Sequence, residues 1–475
     1  MITTPQPPPG IDRLPEELLL QIFTFLDATP PSETQLRREP SLDLLIGQDP
    51  PLKRTSLVSQ RWRRVALPLL FRHSRFRLDG PIAEEWGACV LCCRALAPPA
   101  ERGVGIQSTG NDVDYYHEEI CRYAQQCIEE RSASPVRDLI SRWLPRFYHG
   151  LEDFLLFLHT HALVSKVQSF VLTNAEGLPD VAGRTPGDWR QLFAAAFWHR
   201  CLSVLVDVRT IVIIAAPTDL ACLTNCAIDT SGTWAFKDMT NHILTLQTSS
   251  PTPRIHRPAL TALRPHSTRY PGIASSSLLN LHPWSQITLN ESAFLSAYGT
   301  YEYFERGPPS LIYSLKDCLS PRPTYNASMR RVSSTPLASL RKFTYTAIFP
   351  FATHLDFREL LPQLEELDLQ LAPLQEEGIL NDPARVGKAE LADCWEELGS
   401  VYRKLVSQIA TYRISERSMP FLKRFVCRDV VRELLREELD EIFIPLCLPV
   451  WAEMERGVFA RIRGSADGDG MASDW

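Results

Sequence analysis

Residues 14–27 read LPEELLLQIFTFLD, and they predict a helix with more apolar surface than one packing partner needs. Pro15 suits the first helical position, because the N–H it lacks would be unpaired there in any case. Glu16 and Glu17 follow, and carboxylates in a first turn favour the positive end of the helix dipole. The run continues in good helix formers until Pro30 and Pro31 stop it. At about 100° per residue, Glu16, Glu17, Gln21, Thr24 and Asp27 share one polar arc. Leu18, Leu19, Ile22, Phe23, Phe25 and Leu26 fill an opposite arc of roughly 180°, where an ordinary core-facing stripe covers about 100°. Leu20 falls on the polar side. Two readings fit this wheel: an ordinary buried helix, or a helix that serves its own small domain and a second surface.

The sequence that follows narrows the choice. Ala28 to Pro51 is polar and Pro-rich, and reads as a loop-like insertion. Leu52 to Leu78, LKRTSLVSQRWRRVALPLLFRHSRFRL, places Leu57, Val58, Trp62, Val65, Ala66 and Leu69 at helical spacing. Pro68 is expected to end or restart that helix. The first 80 residues thus predict two or three short helices, which alone bury too little surface for a comfortable core.

At these residues the chain resembles the F-box family. The matching positions are Leu14-Pro15-x-Glu17-Leu18-Leu19-x-x-Ile22-x-x-Phe25-Leu26-Asp27, then Ser56-Leu57-Val58-Ser59-x-Arg61-Trp62-Arg63-Arg64. Two departures stand out: Ser59 occupies the position where the family usually has Cys, and the link between the helices is longer, by the insertion within 28–51. The resemblance implies a helical domain over 11–80 that docks on the Skp-type adaptor, which in turn joins a cullin and a RING protein in an SCF ubiquitin ligase. It implies that Leu14 and Pro15 lie against the adaptor, with Leu18, Ile22, Leu57, Val58 and Trp62 shared between interface and domain core.

Composition is consistent with a folded protein. With 475 residues, two to four domains are expected; 44% of the chain is hydrophobic, and the net charge is only −6. The charge is uneven: Lys53, Arg54, Arg61, Arg63, Arg64, Arg72, Arg75 and Arg77 lie between Pro51 and Gly80 against Asp79 alone. A basic helical segment sometimes signals nucleic acid. Beside the F-box pattern it reads as a solvated face or a surface for an acidic protein partner, and nucleic acid is not the expected partner. No signal peptide is visible in MITTPQPPPG, and the most apolar stretch, Ile211 to Ala216, is too short to span a bilayer. The expected location is cytoplasmic or nuclear. The sequons at Asn290 and Asn326 are read as coincidental.

The 12 cysteines are expected to be mostly free thiols. Cys89, Cys92, Cys93, His117, Cys121 and Cys127 are the nearest approach to a metal cluster, but the second pair is too widely spaced for zinc. His159 and His161 diverge on a helix and are poor joint ligands. No nucleophile elbow, H-E-x-x-H, phosphate loop, dinucleotide fingerprint or kinase set is present. The chain is therefore read as a non-catalytic receptor with no metal or cofactor.

Beyond residue 80 the pattern changes twice. Residues 81–164 read as a helical connecting region, with EEWGACVLCCRALA and LEDFLLFLHTHALV as its helices. From 165 to 460, short β-like stretches recur as apolar-x-x-apolar-x-apolar: Val167-Phe170-Leu172, Val208-Ile211-Ile213, Trp284-Ile287-Leu289, Leu340-Phe343-Tyr345, Leu364-Leu367-Leu369 and Leu422-Phe425-Cys427. This is the strand core of a leucine-rich repeat. Leu340 and Leu364 are 24 residues apart, a typical repeat length, but the remaining spacings are 41, 76, 56 and 58. The ninth position, normally Asn or Cys, is Ala175, Ala216, Ser292, Ile348, Ala372 and Val430. Lys388 to Ile414 is the strongest helical pattern, residues 246–272 read as a long exposed loop, and 1–10 and 461–475 as flexible ends. Parts of the second half, including FTYTAIFPFATHLDF, also resemble F-box proteins of filamentous fungi.

The expected fold class is α/β (α+β overall), with an F-box helical domain followed by an irregular leucine-rich-repeat-like α/β solenoid. The expected function is substrate recognition in an SCF-type ubiquitin ligase, with an unknown protein target bound by the C-terminal region. The alternative is an adaptor-bound scaffold or regulatory subunit outside any ligase.

Overall fold

The structure is a computed structural model. It describes residues 14–27, 29–41, 51–78, 150–174, 189–224, 241–249, 277–299, 308–319, 339–357, 363–411, 422–444 and 451–462, with isolated positions between 225 and 240 and between 324 and 337. The candidate metal cluster, the ends predicted over 1–10 and 461–475 apart from residues 461–462, and nearly all of the connecting region lie outside these residues.

Four helices open the chain: α1 (Glu16–Leu26), α2 (Pro31–Thr34), α3 (Pro51–Thr55) and α4 (Gln60–Leu70). Pro15 stands one place earlier than the sequence predicts. It is the cap before α1, extended at φ −53° and ψ 152°, and its carbonyl accepts from Leu18 and Leu19 N–H. Helix α4 starts cleanly because the Ser59 hydroxyl accepts from Trp62 N–H at 3.2 Å, a standard serine cap. Pro68 does not end α4. It sits inside the last turn and the helix runs on to Leu70, since a proline there removes only one bond near an end that is fraying already.

Only two residues, Phe71 and Arg72, separate α4 from strand β1 (His73–Arg77). β1 pairs in parallel with β2 (Ser169–Thr173), which pairs in parallel with β3 (Thr210–Ala215). β4 (His242–Gln247) then runs antiparallel to both β3 and β5 (Gln286–Ala293). A small hairpin of β6 (Thr324–Tyr325) and β7 (Arg331–Val332) stands apart. β5, β8 (Lys342–Ile348), β9 (Glu366–Gln370) and β10 (Arg424–Cys427) form a second parallel run. β12 (Val458–Arg461) and β11 (Trp451–Glu455) finish the sheet antiparallel, in the order β1-β2-β3-β4-β5-β8-β9-β10-β12-β11. All six predicted strand cores lie in this one sheet. It is a mixed ten-stranded sheet, however, because β4 interrupts the parallel register that a leucine-rich-repeat solenoid would keep. β4 also takes Leu246 and Gln247 out of the predicted loop, and β12 takes Arg461 out of the predicted tail.

The two faces of the sheet differ because successive strand residues point to opposite sides. Phe170, Leu172, Ile211, Ile213, Leu244, Leu246, Ile287, Leu289, Phe343, Tyr345, Leu367, Leu369 and Phe425 join one large core with the helices Glu152–Thr160, Trp189–Val204, Leu391–Thr411 and Arg436–Phe443. The helix predicted over Lys388–Ile414 is the Leu391–Thr411 one, and it buries Leu398, Val401, Tyr402, Leu405 and Ile409 there. On the opposite face Val171, Val212, Ile214 and Ile243 form a separate small cluster, capped by Leu36 from the insertion.

Buried polar groups pin the strands. The Glu291 carboxylate accepts from Ser310 Oγ at 2.7 Å, Leu311 N–H at 2.9 Å and Tyr345 Oη at 2.6 Å, with His354 Nε2 at 3.5 Å. Burial alone would raise this carboxyl. The hydrogen bond from His354, the charges of His242 and His354, and Tyr345 outweigh it and hold the group at about 2. Because the folded value lies below the ordinary one, the stabilisation from Glu291 is complete above pH 4.5 and is lost as the pH falls towards 2. We therefore expect Glu291→Gln to destabilise the chain by about 3 kcal/mol at pH 7, with the gap to wild type closing on acidification below pH 4. Thermal unfolding of both proteins from pH 7 to pH 2.5 checks this; a gap independent of pH contradicts it.

Candidate protein-docking surface

Helix α1 divides the apolar arc that the sequence left whole. Leu19 and Phe23 are buried, at 0% and 1% exposure, in a small core with Leu52, Val65, Ala66 and Leu69. Leu26 packs at its edge. Leu18, Ile22 and Phe25 instead remain 44%, 37% and 90% exposed. They are spaced i, i+4 and i+7, so they line one stripe about 100° around the axis from the buried one. In the turn that ends α3, Leu57 and Val58 are 72% and 60% exposed. With Leu20, 42% exposed on the polar side, six large apolar side chains are thus held in solvent on the four-helix unit, at a cost that the fold itself does not require.

The predicted site residues separate into two groups. Pro15, Leu18, Ile22, Leu57 and Val58 are exposed. Leu14 and Trp62 are half-buried and pack against the small core, and the Trp62 ring lies 5.4 Å from that of Phe23. These two act first as supports: Trp62 fixes α4 on α1, and the Leu14 carbonyl accepts from the Arg61 guanidinium. Phe25, the most exposed of all, was missed as a site residue although it lies in the predicted arc. The wheel ranks residues by angle, and only the position of α4 decides which part of the arc is covered.

Ion pairs lock the helices in this arrangement. Arg64 pairs with Glu16, and Arg72 Nη1 lies 3.1 Å from Asp27 Oδ2. Arg64 in α4 thus meets the first turn of α1, and Arg72, just beyond α4, meets the residue that ends α1. Leu67, on the far side of α4, belongs to the large core of the sheet, so α4 bridges the two hydrophobic clusters.

Residues 11–77 match the family model described as F-box-like. The chain carries an F-box-like domain. The match spans α1 to α4 and β1, so the last strand of the F-box-like domain is also the first strand of the large sheet. No curated protein and no solved structure matches the chain. Among the described residues, no group of three or more His, Cys, Asp or Glu is placed to hold a metal ion, and no helix is long and apolar enough to cross a membrane.

The insertion within the F-box-like domain is more than a loop. Its described residues hold the short helix α2 and a strap, residues 35–41, that turns at Leu36 and Arg37, with Arg38 N–H donating to the Gln35 carbonyl, and lies on the sheet face opposite the large core. Truncation should distinguish the two stripes of α1. Phe23→Ala is expected to cost 3–5 kcal/mol within the F-box-like domain, whereas Phe25→Ala should lie within about 0.5 kcal/mol of wild type. Hydrogen exchange of the α1 amides reads both; equal loss of protection in the two variants contradicts the division.

Proposed function

We propose that this chain is the substrate-recognition subunit of an SCF-type ubiquitin ligase. Its F-box-like domain binds the Skp-type adaptor, which brings the cullin and the RING protein, and its region from residue 165 to 460 binds the target protein. The observation that carries this reading is the solvent-held apolar surface of Leu18, Ile22, Phe25, Leu57 and Val58 on a domain that matches the F-box-like family. Pro15 and the half-buried Leu14 and Trp62 complete the adaptor-binding set, Trp62 by positioning its neighbours.

No chemistry is required of the chain in this role. A receptor raises the concentration of a target lysine near the ubiquitin donor, and positioning of this kind is worth several kcal/mol of barrier. That role needs a defined geometry between the two binding regions. The two-residue step from α4 into β1 supplies it directly, and the connecting region of 81–164 is not needed to stiffen the join. Such a subunit works in the cytoplasm or nucleus.

Exposed anchors at the centre of an interface each contribute on the order of 2 kcal/mol. Leu57→Ala combined with Val58→Ala is therefore expected to weaken adaptor binding at least tenfold without unfolding the chain, and addition of Phe25→Ala to abolish it. Pull-down with purified adaptor measures this, and co-purification of cullin with the wild-type complex tests the ligase assignment. Full adaptor binding by the triple variant contradicts the surface, and recovery of adaptor with no cullin contradicts the ligase.

A further inference from the structure

The strap is held to the sheet by contacts of three different kinds. Its Leu36 side chain seats on Val171, Val212, Ile214 and Ile243, from strands β2, β3 and β4. Its main chain is gripped by amide side chains: Asn290 on β5 donates to the carbonyls of Leu36 at 2.9 Å and Arg38 at 2.7 Å, and Gln370 on β9 donates to the carbonyl of Arg37 at 3.4 Å. The guanidinium of Arg37 reaches Asp368 on β9 at 2.5 Å, a buried carboxylate that also takes Arg428 at 3.0 Å. Further along, Glu39 N–H donates to Glu377 at 2.8 Å, and Arg385 pairs with the Glu39 carboxylate. An apolar patch, amide side chains on peptide carbonyls and one acidic residue are the parts of a site that recognises a peptide by its main chain and side chains together.

The fit is incomplete. The hydroxyls of Thr173 on β2, Thr245 on β4 and Thr346 on β8 are buried with no hydrogen-bond partner among the described residues, as is one terminal nitrogen of Arg37. By strand alternation all three threonines share the face of Val171, Ile243 and Asp368, the face that carries the strap. Buried hydroxyls in native cores are normally paired. The strap lies on this face through Leu36, Asn290 and Gln370 and satisfies none of the three hydroxyls. The face therefore has more polar capacity than its present occupant satisfies.

We propose that this sheet face is a peptide-binding groove and that the strap, residues 35–41, is its resident intramolecular ligand. The competing ligand is a segment of a target protein that takes the same turn, with a leucine-sized apolar residue followed by arginine. The proposal rests on the target-receptor reading above and gives that reading its binding site. The strap is anchored by α1 before it and α3 after it. It therefore acts at the high effective concentration of a tethered ligand, and a target must exceed that to enter. The F-box-like domain thus carries the element that guards the groove as well as the adaptor surface.

The test uses the full chain and a fluorescent peptide of residues 33–41, ETQLRREPS. Wild type should bind it weakly, because its own strap is in place. The double variant Leu36→Asp with Arg37→Glu should bind it at least tenfold more tightly, and adding Asp368→Asn should return the affinity to the wild-type level. Arg37→Ala alone, which removes only the ion pair, should give a smaller gain. A peptide with Asp and Glu at the Leu and first Arg positions should not bind any of them. The proposal is overturned if the folded double variant binds the peptide no better than wild type. It is equally overturned if both strap variants lose their circular dichroism signal, because the strap would then be a core element. Adaptor pull-down with the same proteins keeps the two readings apart. Intact adaptor binding with no gain in peptide binding sinks the groove alone, and absent adaptor binding by wild type sinks the ligase role while a peptide gain still supports the groove.

Discussion

The parallel pairing of β1 with β2 is the constraint on which the rest of the molecule depends. Five residue pairs, His73–Ser169 to Arg77–Thr173, are in register. The ladder is extended at both ends, by Gln168 and Ser169 N–H to the Arg72 carbonyl and by Leu78 N–H to the Thr173 carbonyl. With two residues between α4 and this ladder, the helix cannot swing without breaking main-chain bonds. Phe76 then places an aromatic ring among Phe154, Phe170 and Phe197, and so fixes the sheet edge to the helical layer. The exposed stripe of α1 inherits this rigidity through the packing of Phe23 on Trp62. The strap provides a second, independent tie across the opposite face.

Buried charge organises the far half of the sheet in a similar way. Asp429, just after β10, accepts from the N–H groups of Leu371 and Ala372 after β9 and from Tyr402 Oη. Burial raises this carboxyl, and the three hydrogen bonds work against that rise. The turn after β9 is thus satisfied from the neighbouring strand, one residue before the position where a leucine-rich repeat would carry its own Asn or Cys. This is how these strands stack although their ninth positions, Ala372 and Val430, have no polar side chain to offer.

The sequence carried the strand cores and long helices clearly because each announces itself by local apolar spacing. Val167-Phe170-Leu172 and its five counterparts sit where the pattern put them, and so does Leu391–Thr411. β4 escaped notice: HILTLQ has only a short alternation, and its antiparallel place between β3 and β5 is decided by distant partners. The strap was illegible for the same reason. Leu36 is a lone apolar residue in a polar stretch, and Asp368, which receives Arg37, lies 331 positions away. The sequon at Asn290 reads as coincidental, and Asn290 is indeed buried, on the strap, while Glu291 is the centre of a buried network. For α1, periodicity gave the full apolar arc and the motif gave a docking role, but only the seat of α4 shows that Phe25 belongs to the outward stripe.

The central claim is that α1 turns one apolar stripe into its own domain and the other towards an adaptor. Hydrogen exchange of the full chain with and without purified Skp-type adaptor tests it most directly. The account predicts added protection confined to residues 16–26 and the segment around Leu57 and Val58, with β2, β3 and β9 unchanged. Protection elsewhere on the sheet with none on α1, or no change anywhere at saturating adaptor, would contradict it.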